Sequence, residues 1–429
     1  MNAPLDVSSK DEEAPEAFFG LPQQVRFCKK CVISNQRPNS AVEYSHRASS
    51  VKSTIAFDEE GVCDACRFTE RKNSEIDWAE REDELYELAR RVEGLPGKYN
   101  CLVPGSGGKD SFYQAHVLKN KFGFRPLTVT WAPHLYTEWG WRNFQAWIHA
   151  GFDNILVTPN GLVHRLLTRL AVDNLFHPFQ PFMLGQKGMA PRLAAQFDIP
   201  LVFFGENEAE YGNPIADTEV STRDVKYFSA NSDDVVLLSG VPVTELLGRY
   251  RLPRYELQQY LPIDAGQLAK TSIEVHYLGY YIRWHPQSAY YHAVEHGGFE
   301  PSPERTPGTY SKYNSIDDKI DDLHYWTTHV KFGIGRATYD AAQEIRSEDI
   351  TREEGVALVR RFDGEWPSRF EDELMRYLSV DPRLGDAVLS QFSEPEMTKS
   401  SFLALADNFR SPHLWVKSGG DWQLRHQVA

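Results

Sequence analysis

Only five of the 429 residues are cysteine and only five are methionine. That scarcity excludes a disulfide scaffold as the main source of stability. Four of the cysteines fall in two pairs, Cys28/Cys31 and Cys63/Cys66, which in a reducing compartment suggests metal rather than disulfides. No stretch approaches the ~18 uninterrupted apolar residues of a membrane-spanning helix. The first residues, Met1-Asn2-Ala3-Pro4-Leu5-Asp6, lack the basic-then-apolar order of a secretory signal. The expectation is a cytoplasmic chain without a membrane span. Basic residues are in deficit, 46 Lys and Arg against 60 Asp and Glu, for a net charge of −14. A long polyanion such as tRNA gains affinity from a basic footprint and counterion release, so no nucleic-acid partner is expected. A small anion can be held by a few residues at any net charge.

The chain is longer than one domain of ~100–200 residues. Its 41% hydrophobic and 13% aromatic content is that of a globular protein. Residues 1–20 are acidic and rich in Pro and Ala, and read as a flexible leader. Residues 21–73 carry the cysteines in short, turn-rich segments. Residues 74–93 read as a helix, with Ile76, Leu85, Leu88 and Val92 on one side and Ser74 or Asp77 as cap. From residue 98 strands and helices alternate. Strands are expected at Tyr99–Val103, Pro126–Trp131, Asn154–Thr158 and Leu201–Phe204, with helices at Ser111–Phe122, Trp141–Ala150, Leu162–Leu175 and Met183–Phe197. This alternation predicts an α/β domain with a parallel sheet over residues 74–215. Residues 216–400 read as a mostly helical substrate-binding region, with a capping box at Thr351-Arg352-Glu353-Glu354. Residues 401–429 read as a tail whose order the sequence leaves open.

The strongest motif is Pro104-Gly105-Ser106-Gly107-Gly108-Lys109-Asp110-Ser111, directly after an apolar strand and opening a helix. Ser106, Gly107 and Gly108 let backbone N–H groups converge on phosphate oxygens, and the helix N-terminus adds its positive end. Lys109 supplies a mobile cation, and Asp110 stands where it can hold Mg²⁺. The spacing is not that of the Walker loop. The string resembles the signature of the PP-loop ATP pyrophosphatases. That resemblance implies cleavage of ATP between the α- and β-phosphates.

Cys28-Lys29-Lys30-Cys31 and Cys63-Asp64-Ala65-Cys66 form two knuckles. Four thiolates close a tetrahedral Zn²⁺ site without an open position, which makes it structural. The loop between the knuckles exceeds the usual span of roughly 15–20 residues. Cys101, inside the first strand, reads as core filler. No cysteine follows Met1 and no Gly-x-Cys-x-Gly elbow occurs, so a glutaminase nucleophile is not expected here. Ammonia would come from solution or from a separate subunit.

Longer strings add specificity: Gly205-Glu206-Asn207-Glu208 with Tyr211-Gly212, His276-Tyr277-Leu278-Gly279-Tyr280-Tyr281, Arg305-Thr306-Pro307-Gly308-Thr309-Tyr310, Asp317-Asp318-Lys319-Ile320-Asp321-Asp322, and Lys331-Phe332-Gly333 with Gly335-Arg336. With the knuckles and the loop they resemble the N-acetyl sugar amidotransferase family of bacterial surface-polysaccharide and nonulosonic-acid pathways, from about Phe27 to about Leu378. The resemblance implies that ATP activates an acetamido oxygen and that ammonia replaces it, giving an acetamidino sugar. It also implies a separate glutamine amidotransferase and a cyclase-like subunit that deliver the ammonia. A tRNA-thiolating PP-loop enzyme is the rival reading; it needs a sulfur-carrying cysteine near the loop and a basic face.

Among individual residues, Glu206 and Glu208 follow the fourth strand, where ligands sit in such sheets. They are expected beside the α-phosphate or the substrate amide, with Tyr211 stacking on or bonding the substrate. Trp131 could border adenine or fill the core. If helical, Asp317/Asp321 and Asp318/Asp322 are i,i+4 pairs that repel, which suggests either an active-site role toward Mg²⁺ or ammonia or a salt-bridge network. Lys312, Lys331 and Arg336 could face those carboxylates or an anionic substrate, and Arg305 could clamp a carboxylate. His177, Gln186 and Lys187 are candidate pocket residues on a helix-flanking loop.

Overall fold

Five short apolar runs pair into one parallel sheet in the computed structural model, which describes residues 14–214, 219–380, 383 and 388–429. The strands are β1 (Cys101–Pro104), β2 (Pro126–Trp131), β3 (Asn154–Val157), β4 (Leu201–Phe204) and β5 (Glu274–Tyr277), in the order β3-β2-β1-β4-β5. Every neighbouring pair is parallel. All six residues of β2 are buried, as expected where helices cover both faces and alternation gives way to continuous apolar sequence. The chain moves outward from β1 to β3 and then returns to place β4 on the other side of β1. A crevice therefore opens beyond the carboxyl ends of β1 and β4.

One face of the sheet carries α2 (Trp78–Glu93), α3 (Lys109–Asn120), α4 (Glu138–His149) and the helix Pro286–Gly297. Cys101, Val103, Leu201 and Phe203 meet Leu85, Leu88, Phe112, Phe144 and Trp147 there. The opposite face carries α5 (Gly161–Leu175) and α6 (Gln180–Phe197), whose Leu166, Leu170, Leu184 and Met189 cover Leu102, Val129 and Val202.

The helix expected over 74–93 is α2, which begins at Trp78, and a separate helix, α1 (Asp64–Ser74), precedes it. Asp77 caps α2 by accepting from the Ala79 and Glu80 amides, so Ser74 ends α1 instead of opening α2. The sequence reading stops the sheet at four strands. β5 runs into the start of the His276-Tyr277 string in the region read as helical, and its four residues are too few to show a period.

Downstream come the helices Ile320–Phe332, Arg336–Arg346, Arg352–Phe362 and Lys399–Asn408. The capping box at Thr351 and Glu354 is present. The last residues are ordered: Trp415–Ser418 and Asp421–Leu424 form a hairpin, Phe402 and Trp415 are buried, and the Trp415 indole donates to the Val330 carbonyl at 2.8 Å. Residues 1–13 of the leader and the boundary at 215/216 lie outside the described residues. Among the described residues, no helix is long and apolar enough to cross a membrane.

Candidate functional site

The loop after β1 has a shape that its residue types dictate. Gly107 has φ +90°, and a Cβ there would come within 2.7 Å of Phe144 Cα and 2.9 Å of the Asn143 carbonyl. A Cβ at Gly105 would lie 2.1 Å from Ser111 Cβ. Both glycines are therefore demanded by close approach, and Gly107 also by a left-handed backbone. Ser111 Oγ accepts from the Gly107 amide at 3.2 Å and donates to the Gly108 carbonyl at 2.9 Å, locking the turn. α3 begins at Lys109, two residues before the expected Ser111, because Gly108 is its extended N-cap. Among the described residues no side chain caps this end, so its first amides stay available to an anion. Lys109 is buried, with Nζ 2.7 Å from Asp110.

Across the crevice, the segment after β4 brings Glu206, Glu208 and Tyr211 to the wall of a cavity of about 670 Å³ that also touches Lys109 and Asp110. Glu206 accepts from the Tyr211 hydroxyl and from Gln343 Nε2 at 3.3 Å. Burial, reinforced by the Asp110 charge, raises its carboxyl from 4.5 to about 7. Glu208 faces a different environment. Burial pushes its carboxyl up, but Arg223 at 3.4 Å and the Ser40 hydroxyl at 2.7 Å outweigh that and hold it below the ordinary range.

Eight Lys and Arg side chains line this cavity against five Asp and Glu, so a net acidic protein presents a locally basic cleft. At the end formed with α6, Lys187 stands 3.5 Å from Glu43, and Lys52 Nζ stands 2.5 Å from His46 Nε2. Lys331 is buried and donates to the Leu175 carbonyl at 2.7 Å. Burial, aided by Lys52, lowers its amine to about 7, and burial lowers Lys52 to about 8.

The four paired cysteines converge. Cys28 and Cys66 Sγ are 3.8 Å apart, Cys31 and Cys63 Sγ are 3.7 Å apart, and all four lie within 4.8 Å of one another. A tetrahedron with Zn–S bonds of about 2.3 Å has S···S edges of about 3.8 Å, so this buried group is able to bind zinc. The Lys30, Cys31 and Cys63 amides point at Cys28 Sγ at 3.4–3.5 Å, the polar support that a thiolate cluster requires. This cluster braces the cleft. Gly212 has φ +76° and packs against Ile55 and Ala65, and Lys72 of α1 pairs with Glu210 at 2.6 Å. Arg37, Ser40, Glu43 and Lys52, which lie between the knuckles, form one wall of the cavity.

The structure separates the other expected residues. Asp317 sits beside the loop: its carboxylate bonds Ser106, and burial raises its pKa. Asp318 is buried and accepts from the His134, Leu135 and Ile320 amides at 2.7, 3.2 and 3.0 Å. It anchors a turn and does not line the cavity. The helix begins at Ile320, so the expected i,i+4 pairs of Asp317 and Asp318 do not form. Asp322 pairs with Arg369 at 3.0 Å, and burial raises Asp321 to about 8 against the opposing pull of Arg336. These carboxylates diverge, and among the described residues the four cysteines are the one converging set of potential metal ligands.

Arg336 lines the cavity and pairs with Asp340 at 2.9 Å. Arg305 is a strut, bidentate to Glu365 at 2.6 and 2.7 Å, and Lys312 donates to the Pro303 carbonyl at 2.9 Å; neither lines the cavity. Trp131 belongs to the core, with 3% exposure, because a Cβ at Gly185 would fall 2.2 Å from its ring. Of the two places expected for it, adenine edge or core, the ring takes the core. Gln186 and Lys187 lie within α6, not on a loop, and line the cavity with His177. Arg37, Arg223, Gln343 and Arg346 line it too, and the sequence reading missed them. Arg37 follows the first knuckle closely enough to have been suspected; the others carry no local pattern.

Residues 307–397 match the family model for the C-terminal domain of WbpG-like LPS biosynthesis proteins. The match covers about a fifth of the chain and fits the N-acetyl sugar amidotransferase resemblance. It supports a place in surface-glycan biosynthesis. It includes the Ile320–Phe332 and Arg336–Arg346 helices, and so Lys331, Arg336 and Gln343 of the cavity. No curated protein matches the chain.

Proposed function

We propose that this protein is an ATP-dependent, AMP-forming amidotransferase that converts an acetamido group of a sugar into an acetamidino group. The observation that carries the reading is the phosphate-shaped loop at the end of β1 facing Glu206 across a locally basic cavity. ATP supplies an α-phosphorus for the amide oxygen to attack with loss of pyrophosphate. Ammonia then adds through its lone pair to the amide carbon, the C–O bond breaks, AMP leaves with that oxygen, and a proton is lost. Pro104 and Gly105 through Gly108, with Ser111 and the α3 amides, would hold the phosphates. Lys109 would neutralise charge that builds on them, and Asp110 would hold Mg²⁺. Glu206, near neutral pKa, is suited to take the proton from the adding ammonia. The basic end around Lys331, Lys52 and Arg336 would receive an anionic part of the substrate, either a phosphate or a carboxylate, with Tyr211 beside it. Holding both reactants side by side supplies much of the rate.

Thiolation is less well supported. Cys101 is buried within β1 and burial raises its thiol pKa, and the other four cysteines form the cluster. The same inventory leaves no exposed cysteine for glutamine hydrolysis, so ammonia would arrive from outside, in keeping with a glutamine amidotransferase and cyclase-like partner. The test is incubation with ATP, Mg²⁺, ammonium and a panel of acetamido-bearing nucleotide sugars and nonulosonic acids. Amidine with matching AMP is expected. Absence of amidine from every substrate overturns the reading.

A further inference from the structure

A second, small cavity adjoins the cleft. Its volume is about 50 Å³, and it lies between α1, the turn at 283–286 and the end of the Arg336–Arg346 helix. Gln343 and Arg346 line both cavities. On the inner side Gln343 donates to Glu206 Oε1 at 3.3 Å, and Arg346 donates to the Glu210 carbonyl at 3.1 Å. The partition between the two spaces is therefore one layer of side chains. The outer end carries the exposed Asn73, Arg283 and Glu348, and the floor carries the buried Lys72, Glu210 and Trp284.

Size and polarity select what this space can hold. A water needs roughly 10–15 Å³ of such volume and two to four polar partners, so the cavity of about 50 Å³ admits a few molecules of that size and excludes a sugar. Trp284 is 1% exposed, and its indole N–H finds no partner among the described residues. Its ring also reaches the end of β4, where a Cβ on Gly205 would stand 3.2 Å away. A buried donor without an acceptor suits the lone pair of neutral ammonia. Lys72, Arg283 and Arg346 outnumber Glu210 and Glu348 around this space, which disfavours a cation, so an ammonium ion would leave its proton in the water outside.

We infer that ammonia reaches the reaction site by this passage, entering between α1 and the 283–286 turn, crossing the Lys72–Glu210 pair, and passing Gln343 to meet the substrate beside Glu206. The inference rests on the amidotransferase reading above. Gln343 is the swinging element, since rotation of its side chain away from Glu206 joins the two cavities.

Asn73→Trp and Ser347→Trp narrow the outer end without touching the loop or Glu206. In steady-state assays with free ammonium, each raises the apparent KM for ammonium by roughly tenfold, with the KM for ATP unchanged and kcat recovered at saturating ammonium. Thr69→Ala widens the space and improves turnover with methylamine relative to ammonium; it keeps helix-forming sequence and removes the γ-methyl and the hydroxyl bonded to the Ala65 carbonyl. Thermal midpoint and metal content confirm folding. Wild-type ammonium KM in the folded tryptophan variants, or unaltered amine discrimination in Thr69→Ala, overturns the route while leaving the function intact. Absence of amidine from the wild type overturns the function and the route together.

Discussion

Replacing Glu206 with glutamine tests the electrostatics of the crevice without any substrate. The Glu206 carboxyl is held at about 7 against an ordinary 4.5, a disadvantage on the order of 3 kcal/mol for its charged form. The folded pKa is raised, so the favourable contribution is fully present below the unfolded value and is lost as pH rises through about 7. Glutamine keeps an oxygen for the Tyr211 hydroxyl, places its amide nitrogen opposite the Gln343 amide, which can turn to accept from it, and never ionises. Wild type and Glu206→Gln should therefore have similar stability near pH 4.5. Above pH 7 the variant should become the more stable by about 1–3 kcal/mol. Urea unfolding of both proteins, without nucleotide, on either side of neutrality measures the difference. A stability gap independent of pH, or a wild type that gains on the variant as pH rises, refutes the reasoning. The same variant should lose the proposed activity, because the group proposed to take the proton is gone.

Three further outcomes follow from the geometry. Cys63→Ser breaks the four-sulfur cluster; bound zinc should be lost, and with it protease resistance of residues 21–73 and of the 206–212 segment that α1 supports, as measured by metal analysis and limited proteolysis. Gly107→Ala places a Cβ within 2.7 Å of the Phe144 backbone at φ +90°, and the resulting strain of about 1–3 kcal/mol should weaken ATP binding by roughly tenfold or more in calorimetry. Trp131→Phe should leave ATP affinity unchanged because the ring lies in the core, whereas Gly185→Ala, which drives a methyl group into that ring, should lower the unfolding free energy by about 1–3 kcal/mol.

Much of the sheet was legible because its signals are local. β2 and β4 run over the residues expected, since unbroken apolar runs bounded by turn residues are the mark of buried parallel strands. The glycine loop was legible because close backbone approach leaves no other residue type at Gly105 and Gly107. β5 was not, being four residues long and set by pairing with β4 rather than by a pattern of its own. The cavity wall was legible only in part. Glu206 and Tyr211 follow a strand end, but Arg37, Arg223 and Gln343 arrive from distant segments through tertiary packing that no spacing records. The Asp317–Asp322 string was legible as unusual but not as to its role. Its charge density left an active-site role and a salt-bridge network both open, and the fold spends those carboxylates on a turn, an arginine pair and the edge of the loop.

The central claim is that the acetamido oxygen itself attacks phosphorus and departs with AMP. The most direct measurement is to supply the proposed acetamido sugar with a heavy-oxygen label in the acetyl carbonyl, together with ATP, Mg²⁺ and ammonium, and to follow the label by mass spectrometry. The label should appear in the phosphate of AMP, one atom per amidine formed. Label retained in the sugar, or released into water or pyrophosphate with AMP unlabelled, contradicts it.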